Sequence, residues 1–309
     1  MARAAIFPGQ GSQVVGMGRD AAEAAPAVAE VFRRADEVLG LPLSTLCFEG
    51  PAERLNATDI QQPAIFVTSV ALYRGALAGG ALRESDFAAM GGLSLGEYTA
   101  LHLAGSLSFD DALRLVYRRG QLMQQACEAQ PGGMLSVMGL DEPQVLAACE
   151  RAAPAGRIGP ANYNCPGQIV ISGDLAACDR AAACVEELGG KAIPLKVAGA
   201  FHSELMKPAA DALRADLAAA DVRPPRVRVV ANVDGEYHGD PQAIRESLYR
   251  QVFSPVRWQT CVERLIADGC DEFCEVGAGR VLAGLLRKIN RGVRCANVGG
   301  AADLSPAGR

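Results

Sequence analysis

The chain of 309 residues has no uninterrupted apolar run long enough to span a membrane, although 50% of its residues are hydrophobic. Its first residues lack the apolar core of a secretory signal, so we expect a cytoplasmic protein without a membrane partner. A balance of 30 lysine and arginine residues against 35 aspartate and glutamate residues gives a net charge of −5, with no basic stripe. This balance argues against a nucleic acid partner.

Two common phosphate-binding motifs are missing from the glycine-rich loop at residues 8–13. A dinucleotide-binding fingerprint would require glycine at position 14, which is Val14 in this chain. The Gly-Lys-Ser/Thr ending of a P-loop is also absent. What remains is a loop that follows the first predicted strand and is suited to offering a backbone amide to an oxyanion.

Metal-binding spacing is also missing, although the chain has ten cysteines. Cys270 and Cys274 form the closest pair, and neither a second pair nor a histidine cluster completes a zinc site. We therefore interpret the cysteines as buried thiols in a reducing compartment, and we expect neither a metal nor a redox cofactor.

The most informative motif that is present is Gly-Leu-Ser-Leu-Gly at residues 92–96. A predicted strand over 87–90 precedes it and a predicted helix over 97–104 follows it, which is the context of a nucleophile elbow. Gly92 and Gly96 flank Ser94 at positions where a side chain would collide across so tight a turn. The new helix would direct backbone N–H donors at an anion that forms on the serine. The alternative is a glycine-rich turn whose serine is idle.

A serine nucleophile needs a base, and the chain has only three histidines. His102 would lie about 12 Å along the elbow helix from Ser94, too far to take its proton. His238 lies in a segment that indicates a polar turn. His202 lies where the chain would leave one folded unit and enter another, which is a natural cleft. By elimination we predict that His202 is the base; the alternative is a histidine satisfied by local backbone.

One arginine is predicted to be buried on a helix over 109–126, for which Ser108 is the expected N-cap. Apolar residues repeat along one face of this helix, and Arg119 lies within that stripe. A guanidinium in such a place needs an anion, because desolvation of an unpaired charge is costly. Two interpretations are open: a structural glutamate partner, or a bound carboxylate that selects a substrate with a free acid group.

The order of predicted elements indicates an α/β protein with two units. In residues 1–129 and 199–309, strands alternate with helices, which predicts a parallel sheet covered by helices. The predicted elements there include helices over 21–39 and from 63 to 77 and a strand over 226–231. Residues 130–198 have the order β-α-β-β-α-β, which predicts a ferredoxin-like small domain inserted into the large one.

Together these motifs resemble the malonyl-CoA:acyl carrier protein transacylase family, and the match extends over nearly the whole chain. The matching segments lie at residues 7–13, 58–63, 92–100, 119–120, 162–168, 201–203, 232–233, 251–258 and 275–277. The resemblance implies an α/β-hydrolase-like core with a ferredoxin-like insertion, in agreement with the predicted order of elements.

The resemblance also implies roles for the residues around the serine. Ser94 would be the nucleophile and His202 its base. Gln251 would orient His202 through its backbone carbonyl, in place of a triad carboxylate. The amides of Gln10 and Leu95 would form the oxyanion hole.

Substrate contacts are implied in the same way. Arg119 would bind the malonyl carboxylate, with further contacts from Met123 and Asn162. Phe201 resembles the malonyl-selecting form of related polyketide acyltransferases, in which a bulky ring leaves no room for an α-methyl group. The family usually has histidine immediately before the serine, where this chain has Leu93, a departure that affects the fine tuning of the elbow.

The implied reaction is a ping-pong transfer in fatty-acid or polyketide synthesis, without a cofactor. Malonyl-CoA would acylate the serine, and the phosphopantetheine thiol of acyl carrier protein would then take the malonyl group. We expect a monomer, with Lys191 and Lys196 as contacts for an acidic carrier protein. Two alternatives are a hydrolase that uses water as the acceptor and a catalytically idle docking subunit of a synthase.

Overall fold

The computed structural model describes residues 2–306, and the first part of the chain alternates strands and helices. Its elements are β1 (Ala2–Phe7), α1 (Arg19–Ala24), α2 (Pro26–Leu39), α3 (Leu43–Glu49), α4 (Ala52–Leu55), α5 (Thr58–Ala78), β2 (Phe87–Gly92), α6 (Leu95–Leu103) and α7 (Phe109–Ala129). The side chain of Ser108 accepts a hydrogen bond from the Asp111 N–H, which confirms the predicted N-cap of α7.

The middle part of the chain forms its own four-stranded sheet. Its elements are β3 (Gly132–Met138), α8 (Glu142–Ala152), β4 (Ile158–Cys165), β5 (Gln168–Asp174), α9 (Leu175–Glu187) and β6 (Lys191–Pro194). The sheet order is β4-β5-β3-β6, and every neighbouring pair is antiparallel. A separate hydrophobic cluster joins this sheet to α8 and α9, so the middle part has a core of its own.

The last part of the chain completes the first sheet. Its elements are α10 (Lys207–Ala219), β7 (Arg228–Val229), α11 (Pro241–Gln251), α12 (Trp258–Ala267), β8 (Cys270–Val276), α13 (Val281–Ile289) and β9 (Arg294–Val298). The sheet order is β7-β2-β1-β8-β9, and all its strands are parallel. An α/β architecture with a parallel sheet and a separate antiparallel sheet is therefore confirmed.

Strand β1 shows why the parallel sheet is covered on both faces. Ala5 and Phe7 belong to the hydrophobic cluster on one side, whereas Ala4 and Ile6 belong to the cluster on the other side. Successive side chains of a strand point to opposite faces, so a strand that is apolar at every position needs helices on both.

The carboxyl ends of β1 and β2 lie together, because Phe7 is in register with Gly92. The loop that follows β1 and the turn that follows β2 therefore leave the sheet side by side. Ligands of open parallel sheets bind outside the carboxyl ends of the strands, so this edge is where a site is expected.

Two predicted helices differ from the observed ones at prolines. The helix predicted over 21–39 is two helices, because Ala25 precedes Pro26 and adopts an extended conformation with φ of −137° and ψ of 117°. The helix predicted to begin at Pro63 begins at Thr58. Pro63 lies in the second turn of this helix. Proline has no N–H, so the helix lacks only the hydrogen bond that another residue at this position would donate to the Asp59 carbonyl.

The edges of the parallel sheet also differ from the prediction. The strand predicted over 226–231 pairs only through Arg228–Val229, and the edge strand Arg294–Val298 was not predicted. Short and partly exposed edge strands bury little apolar surface, so they leave a weak pattern in the sequence. Within residues 2–306, no helix has both the length and the hydrophobicity needed to cross a membrane.

All ten cysteines lie in the described part of the chain, and all are free thiols. Nine are buried and Cys295 is partly exposed. Burial raises the pKa of Cys274 to about 11, so this thiol stays protonated at neutral pH. The interpretation of the cysteines as buried thiols is confirmed.

Candidate active site

The turn between β2 and α6 holds Ser94 in a backbone conformation that L-residues rarely adopt, with φ of 51° and ψ of −104°. Two backbone hydrogen bonds close the turn: Leu93 N–H donates to the Phe7 carbonyl (3.1 Å), and Gly96 N–H donates to the Leu93 carbonyl (2.9 Å). The strand–turn–helix context predicted for an elbow is confirmed.

The two glycines of the motif are required for steric reasons. A Cβ at Gly92 would lie 2.0 Å from the carbonyl carbon of Gly96, and a Cβ at Gly96 would lie 2.2 Å from the Phe7 oxygen. Both distances are far inside van der Waals contact, and both obstacles are backbone atoms that cannot move aside. Only glycine fits at either position.

The hydroxyl of Ser94 lies against the ring of His202. Its Oγ is 2.8 Å from His202 Nε2, and His202 Nδ1 is 2.8 Å from the backbone oxygen of Gln251. A carbonyl oxygen only accepts, so Nδ1 carries the hydrogen and Nε2 presents its lone pair to the serine hydroxyl. This tautomer is the one that a general base needs.

The environment of His202 keeps its ring neutral. Burial lowers its pKa to about 4, and the nearby charge of Arg119 also lowers it. The residue itself has a positive φ of 56°, so both members of the pair have backbone strain.

Arg119 is buried in the middle of α7, with 1% of its surface exposed. Its Nη1 donates to Gln62 Oε1 (2.6 Å), and its Nη2 donates to Ser94 Oγ (3.0 Å) and to Gln251 Oε1 (3.0 Å). Its guanidinium carbon also lies 5.6 Å from the centre of the Tyr98 ring. Burial lowers the pKa of Arg119, since desolvation disfavours its charged form.

The three hydrogen-bond partners of Arg119 are all neutral. Among residues 2–306, no carboxylate forms an ion pair with it. A structural glutamate partner was one of the two interpretations of Arg119, and no glutamate is among its hydrogen-bond partners in residues 2–306. A buried cation beside a serine hydroxyl, without an anion in contact, is suited to bind a carboxylate that arrives with a ligand.

A cavity of about 300 Å³ opens beside Ser94 and His202. Its walls include six of the predicted site residues: Ser94 and His202 themselves, and Gln10, Met123, Asn162 and Phe201. Leu93, which stands where the resembling family usually has histidine, also lines the cavity. Met123, Asn162 and Phe201 therefore line one cavity, whereas Arg119 is not part of its wall and reaches the site through Ser94 Oγ, which lies 3.0 Å from Arg119 Nη2.

The two amides predicted to form an oxyanion hole come from adjacent segments. Leu95 is the first residue of α6, so its N–H is one that a helix leaves without an intrahelical partner. Gln10 lies in the loop after β1, which packs tightly on the elbow: a Cβ at Gly9 would lie 2.4 Å from the Leu93 oxygen.

Met123, which was predicted as a substrate contact, also contacts Gln62. Its sulfur accepts a hydrogen bond from Gln62 Nε2 (3.5 Å), and Gln62 in turn accepts from Arg119. Met123 therefore contacts the amide that accepts from the guanidinium, in addition to lining the cavity. Gln62 was not predicted, although it lies in a buried stretch of α5.

The other two histidines lie away from the serine hydroxyl. His102 contacts the Leu107 carbonyl (3.0 Å) and Arg74 (3.3 Å), which confirms that it does not serve Ser94. His238 was interpreted as part of a polar turn, but its side chain is only 1% exposed and its Nε2 lies 2.8 Å from Glu97 Oε1. The turn interpretation missed this pair because the imidazole points inward.

The arrangement has the parts required for acyl transfer through a covalent serine ester. A hydroxyl faces a neutral imidazole, and a buried guanidinium lies within hydrogen-bond distance of the same oxygen. Among residues 2–306, no group of three or more His, Cys, Asp and Glu residues is placed to hold a metal ion.

Comparison with known proteins identifies the family. A family model described as the acyl transferase domain matches residues 5–304. The chain belongs to this acyl transferase family. The acyl transferase is 46% identical over 285 residues to the malonyl CoA-acyl carrier protein transacylase of Escherichia coli strain K12, which covers 92% of this chain and 91% of that relative. It is 44% identical over 288 residues to the protein of the same name from Bacillus subtilis strain 168, covering 93% and 90%.

Solved structures give the same result. The acyl transferase superposes on an acyl carrier protein S-malonyltransferase from Vibrio cholerae with a TM-score of 0.94 and 43% identity, covering 98% of this chain and 99% of the other. It also superposes on a structure described as a type II PKS acyl-carrier protein in complex with its malonyl-transacylase, with a TM-score of 0.94 and 41% identity, covering 98% of each chain. The resemblance inferred from the motifs is confirmed.

Proposed function

We propose that this acyl transferase moves a malonyl group from malonyl-CoA to the phosphopantetheine thiol of acyl carrier protein. One observation carries the proposal: the base and the unpaired cation converge on a single oxygen. His202 Nε2 lies 2.8 Å from Ser94 Oγ, and Arg119 Nη2 lies 3.0 Å from it. A serine nucleophile next to a buried carboxylate receptor fits a substrate that has a thioester at one end and a carboxylate at the other.

In the first half-reaction, Ser94 Oγ attacks the thioester carbonyl while its proton moves to His202 Nε2. The amides of Gln10 and Leu95 donate to the oxyanion of the tetrahedral intermediate. The carbon–sulfur bond then breaks, the coenzyme A sulfur takes the proton from His202, and a malonyl-serine ester remains.

In the second half-reaction, the thiol of the carrier protein takes the place of coenzyme A. His202 accepts its proton, the sulfur attacks the ester carbonyl, and the Ser94 oxygen leaves with the proton returned from His202. The enzyme thus returns to its starting state, with Ser94 protonated and His202 neutral, while the malonyl group has moved from one thiol to the other; no cofactor is consumed.

Arg119 contributes selectivity and also affects the base. When a malonyl carboxylate binds the guanidinium, it offsets the positive charge that helps to lower the pKa of His202. The imidazole thus becomes a stronger base when the correct substrate is bound. Phe201 and Asn162 line the same cavity and limit the size of the substituent that fits there.

We also propose the finer architecture and the domain bounds. Residues 1–129 and 199–309 form an α/β-hydrolase-like large domain, and residues 130–198 form an inserted ferredoxin-like small domain. The support is the order strand, helix, strand, strand, helix, strand, the sheet order β4-β5-β3-β6, and the separate hydrophobic core.

The proposed partners are malonyl-CoA and an acidic carrier protein, and the proposed location is the cytoplasm. Lys191 and Lys196 are exposed at the end of the small sheet, where they are free to attract an acidic surface. The ten unpaired thiols agree with a reducing compartment. The monomeric state stays a prediction.

The experiment that tests the proposal measures thiol release from malonyl-CoA with and without carrier protein. We expect a single burst of coenzyme A without carrier protein and sustained turnover with it. Sustained release without carrier protein would support the alternative hydrolase, and the absence of a burst would support the idle docking subunit.

A further inference from the structure

A second hydrogen-bonded group lies directly behind the elbow and has no part in the proton transfers. At its centre is Glu97, whose side chain is fully buried. Its Oε2 accepts from Gln251 Nε2 (2.9 Å) and from the Asn232 backbone N–H (2.9 Å), and its Oε1 lies 2.8 Å from His238 Nε2. A carboxylate only accepts, so His238 Nε2 carries the hydrogen and donates it.

A short hairpin after β7 delivers two of these partners. His238 N–H donates to the Val229 carbonyl (2.8 Å) and Ala231 N–H to the Glu236 carbonyl (2.8 Å), with Gly235 at a φ of 77° in the turn. The hairpin therefore places the imidazole of His238 and the backbone of Asn232 on the two oxygens of one carboxylate.

Two of the residues that donate to the Glu97 carboxylate, Asn232 and Gln251, also hydrogen-bond to the backbone of Ser94. Asn232 Oδ1 accepts from the Ser94 N–H (2.6 Å), and Asn232 Nδ2 donates to the Gly92 carbonyl (2.8 Å). Gln251 Nε2 donates to the Ser94 carbonyl (2.9 Å) as well as to Glu97. The strained conformation of the nucleophile is thus fixed at its N–H and its carbonyl by residues that Glu97 holds.

The side chain of Gln251 also links Glu97 to Arg119. Its amide NH₂ faces the carboxylate and its amide oxygen accepts from the guanidinium. With the amide reversed, an N–H would face the cation and an oxygen would face the anion, so the two charges determine one orientation. Glu97 thus acts as a counter-charge one amide away from Arg119, which leaves the guanidinium without a carboxylate in contact.

We propose that Glu97 and His238 are positioning residues for the acyl transfer, a role that rests on the proposed function. His238 fixes the carboxylate, the carboxylate fixes the Gln251 amide, and Gln251 fixes Arg119 and, through its backbone carbonyl, His202. Loss of the pair would therefore affect the use of malonyl substrates more than the use of acyl groups without a carboxylate, because only the former need Arg119 in place.

The test compares His238→Ala, His238→Gln and Glu97→Gln with the unaltered protein. The measurement is the single-turnover rate of serine acylation by malonyl-CoA and by acetyl-CoA, expressed per serine that becomes acylated. For His238→Ala and Glu97→Gln we expect the malonyl rate to fall about tenfold, as loss of a buried charge-assisted hydrogen bond does, and the malonyl/acetyl rate ratio to fall with it. His238→Gln keeps an N–H donor for Glu97 and should restore most of the rate and the ratio.

Glu236→Gln is the matched control, because Glu236 lies on the same hairpin but is exposed and pairs with Arg264. It should leave both rates unchanged. An unchanged malonyl/acetyl ratio in His238→Ala and Glu97→Gln, with any lost activity explained by less folded protein, would overturn the inference. If His238→Ala does not fold, Glu97→Gln, which keeps the side-chain shape, decides the question. Failure of the unaltered protein to form a malonyl-serine ester would instead refute the proposed function.

Discussion

The parallel and the antiparallel sheet contribute to the site in different ways. The side chains that hydrogen-bond to the oxygens or nitrogen of Ser94 all come from outside the antiparallel sheet; they are Arg119, His202, Asn232 and Gln251. The antiparallel sheet contributes cavity walls instead, through Met134, Ser136, Asn162, Gln168 and Val170. In the proposed mechanism, the reacting groups therefore belong to the part built on the parallel sheet, whereas both parts form the wall of the cavity.

The two parts are joined close to the site. Tyr163 N–H donates to the Val256 carbonyl and Val256 N–H donates to the Ala161 carbonyl, each at 2.9 Å. This bridge fixes Asn162 relative to the segment that follows Gln251. The comparison predicts that substitutions in the parallel-sheet part lower the rate of chemistry, whereas substitutions in the antiparallel part change KM.

The largest effect is expected for Ser94→Ala. Without the hydroxyl no covalent ester forms, so transfer should fall by at least about 10³-fold. Ser136→Ala, which removes a hydroxyl from the antiparallel wall of the same cavity, is the control and should keep the rate. Turnover of malonyl-CoA by both variants checks the prediction, and transfer retained in Ser94→Ala would mean that another group is the nucleophile.

Arg119→Ala should have the next largest effect. Removal of one partner of a buried charge-assisted pair costs about 2–5 kcal/mol, which corresponds to a malonyl rate lower by about 30-fold to 5,000-fold. Acyl groups without a carboxylate should be transferred relatively better. Arg118→Ala, an exposed neighbour paired with Asp216, should change neither rate. Intact malonyl preference in Arg119→Ala would show that the carboxylate is bound elsewhere.

The pH dependence of the acylation rate tests whether burial in the parallel-sheet part lowers the pKa of His202. The pKa of His202 is lowered to about 4, so this proposed base is neutral, and able to accept a proton, at any pH above that value. Acylation should therefore be nearly constant from pH 8 to pH 5 and fall about tenfold for each unit below 4. Single-turnover rates across this range give the answer, and half-maximal activity near pH 6.5 would mean that burial does not shift the base.

The same lowered pKa of His202 also predicts how the stability of the fold depends on pH, over a window that lies above the one for activity. Between pH 6.5 and 4 the unfolded chain binds a proton at His202 that the folded chain does not. The free energy of unfolding should therefore decrease as the pH falls through this window. The pKa of His102, which burial also lowers to about 4, adds to the same trend.

A smaller effect is expected for the antiparallel wall. Asn162 is buried and lines the cavity, so Asn162→Ala should remove one hydrogen bond to the substrate and raise the KM for malonyl-CoA about fivefold. The value of kcat should change little, because Asn162 does not contact Ser94. Steady-state kinetics separates the two parameters, and a drop in kcat with an unchanged KM would contradict the division between the two sheets.

The smallest effect is expected at the edge of the antiparallel sheet. Replacement of exposed Lys191 or Lys196 by glutamate should raise the KM for the carrier protein only a few-fold, since rim charges contribute little each. The first half-reaction with malonyl-CoA should be unchanged. Kinetics at two salt concentrations tests this: a difference that persists at high salt would exclude electrostatic attraction as the cause.

Part of the site could be predicted from the sequence because its signals are local. The elbow glycines lie within two residues of Ser94, and Arg119 stands out as a charge in an apolar stripe. The partners that complete the site are distant in the sequence: Asn232 contacts the Ser94 backbone from 138 residues away, and the Gln251 side chain from 157. A role that a residue performs through its backbone carbonyl leaves no trace in its side-chain type.

The fold, like the site, could be predicted where its sequence signals are strong and not where they are weak. Buried strands and long amphipathic helices were predicted in the correct order, because their patterns are strong. The break at Ala25 depends on the single residue before Pro26, and α5 begins at Thr58, five residues before the proline that was expected to start it. The edge strand β9 buries too little surface to leave a pattern. Glu97 could have been noticed as the one acidic residue on the short elbow helix, directly after Gly96 of the motif.

The most direct test of the central claim is the mass of the intact protein after mixing with malonyl-CoA, followed by peptide mapping of the modified residue. The account predicts a gain of one malonyl group, located on Ser94 and removed when the phosphopantetheine thiol of a carrier protein is added. A protein that gains no mass, or that carries the malonyl group on a residue other than Ser94, would contradict it.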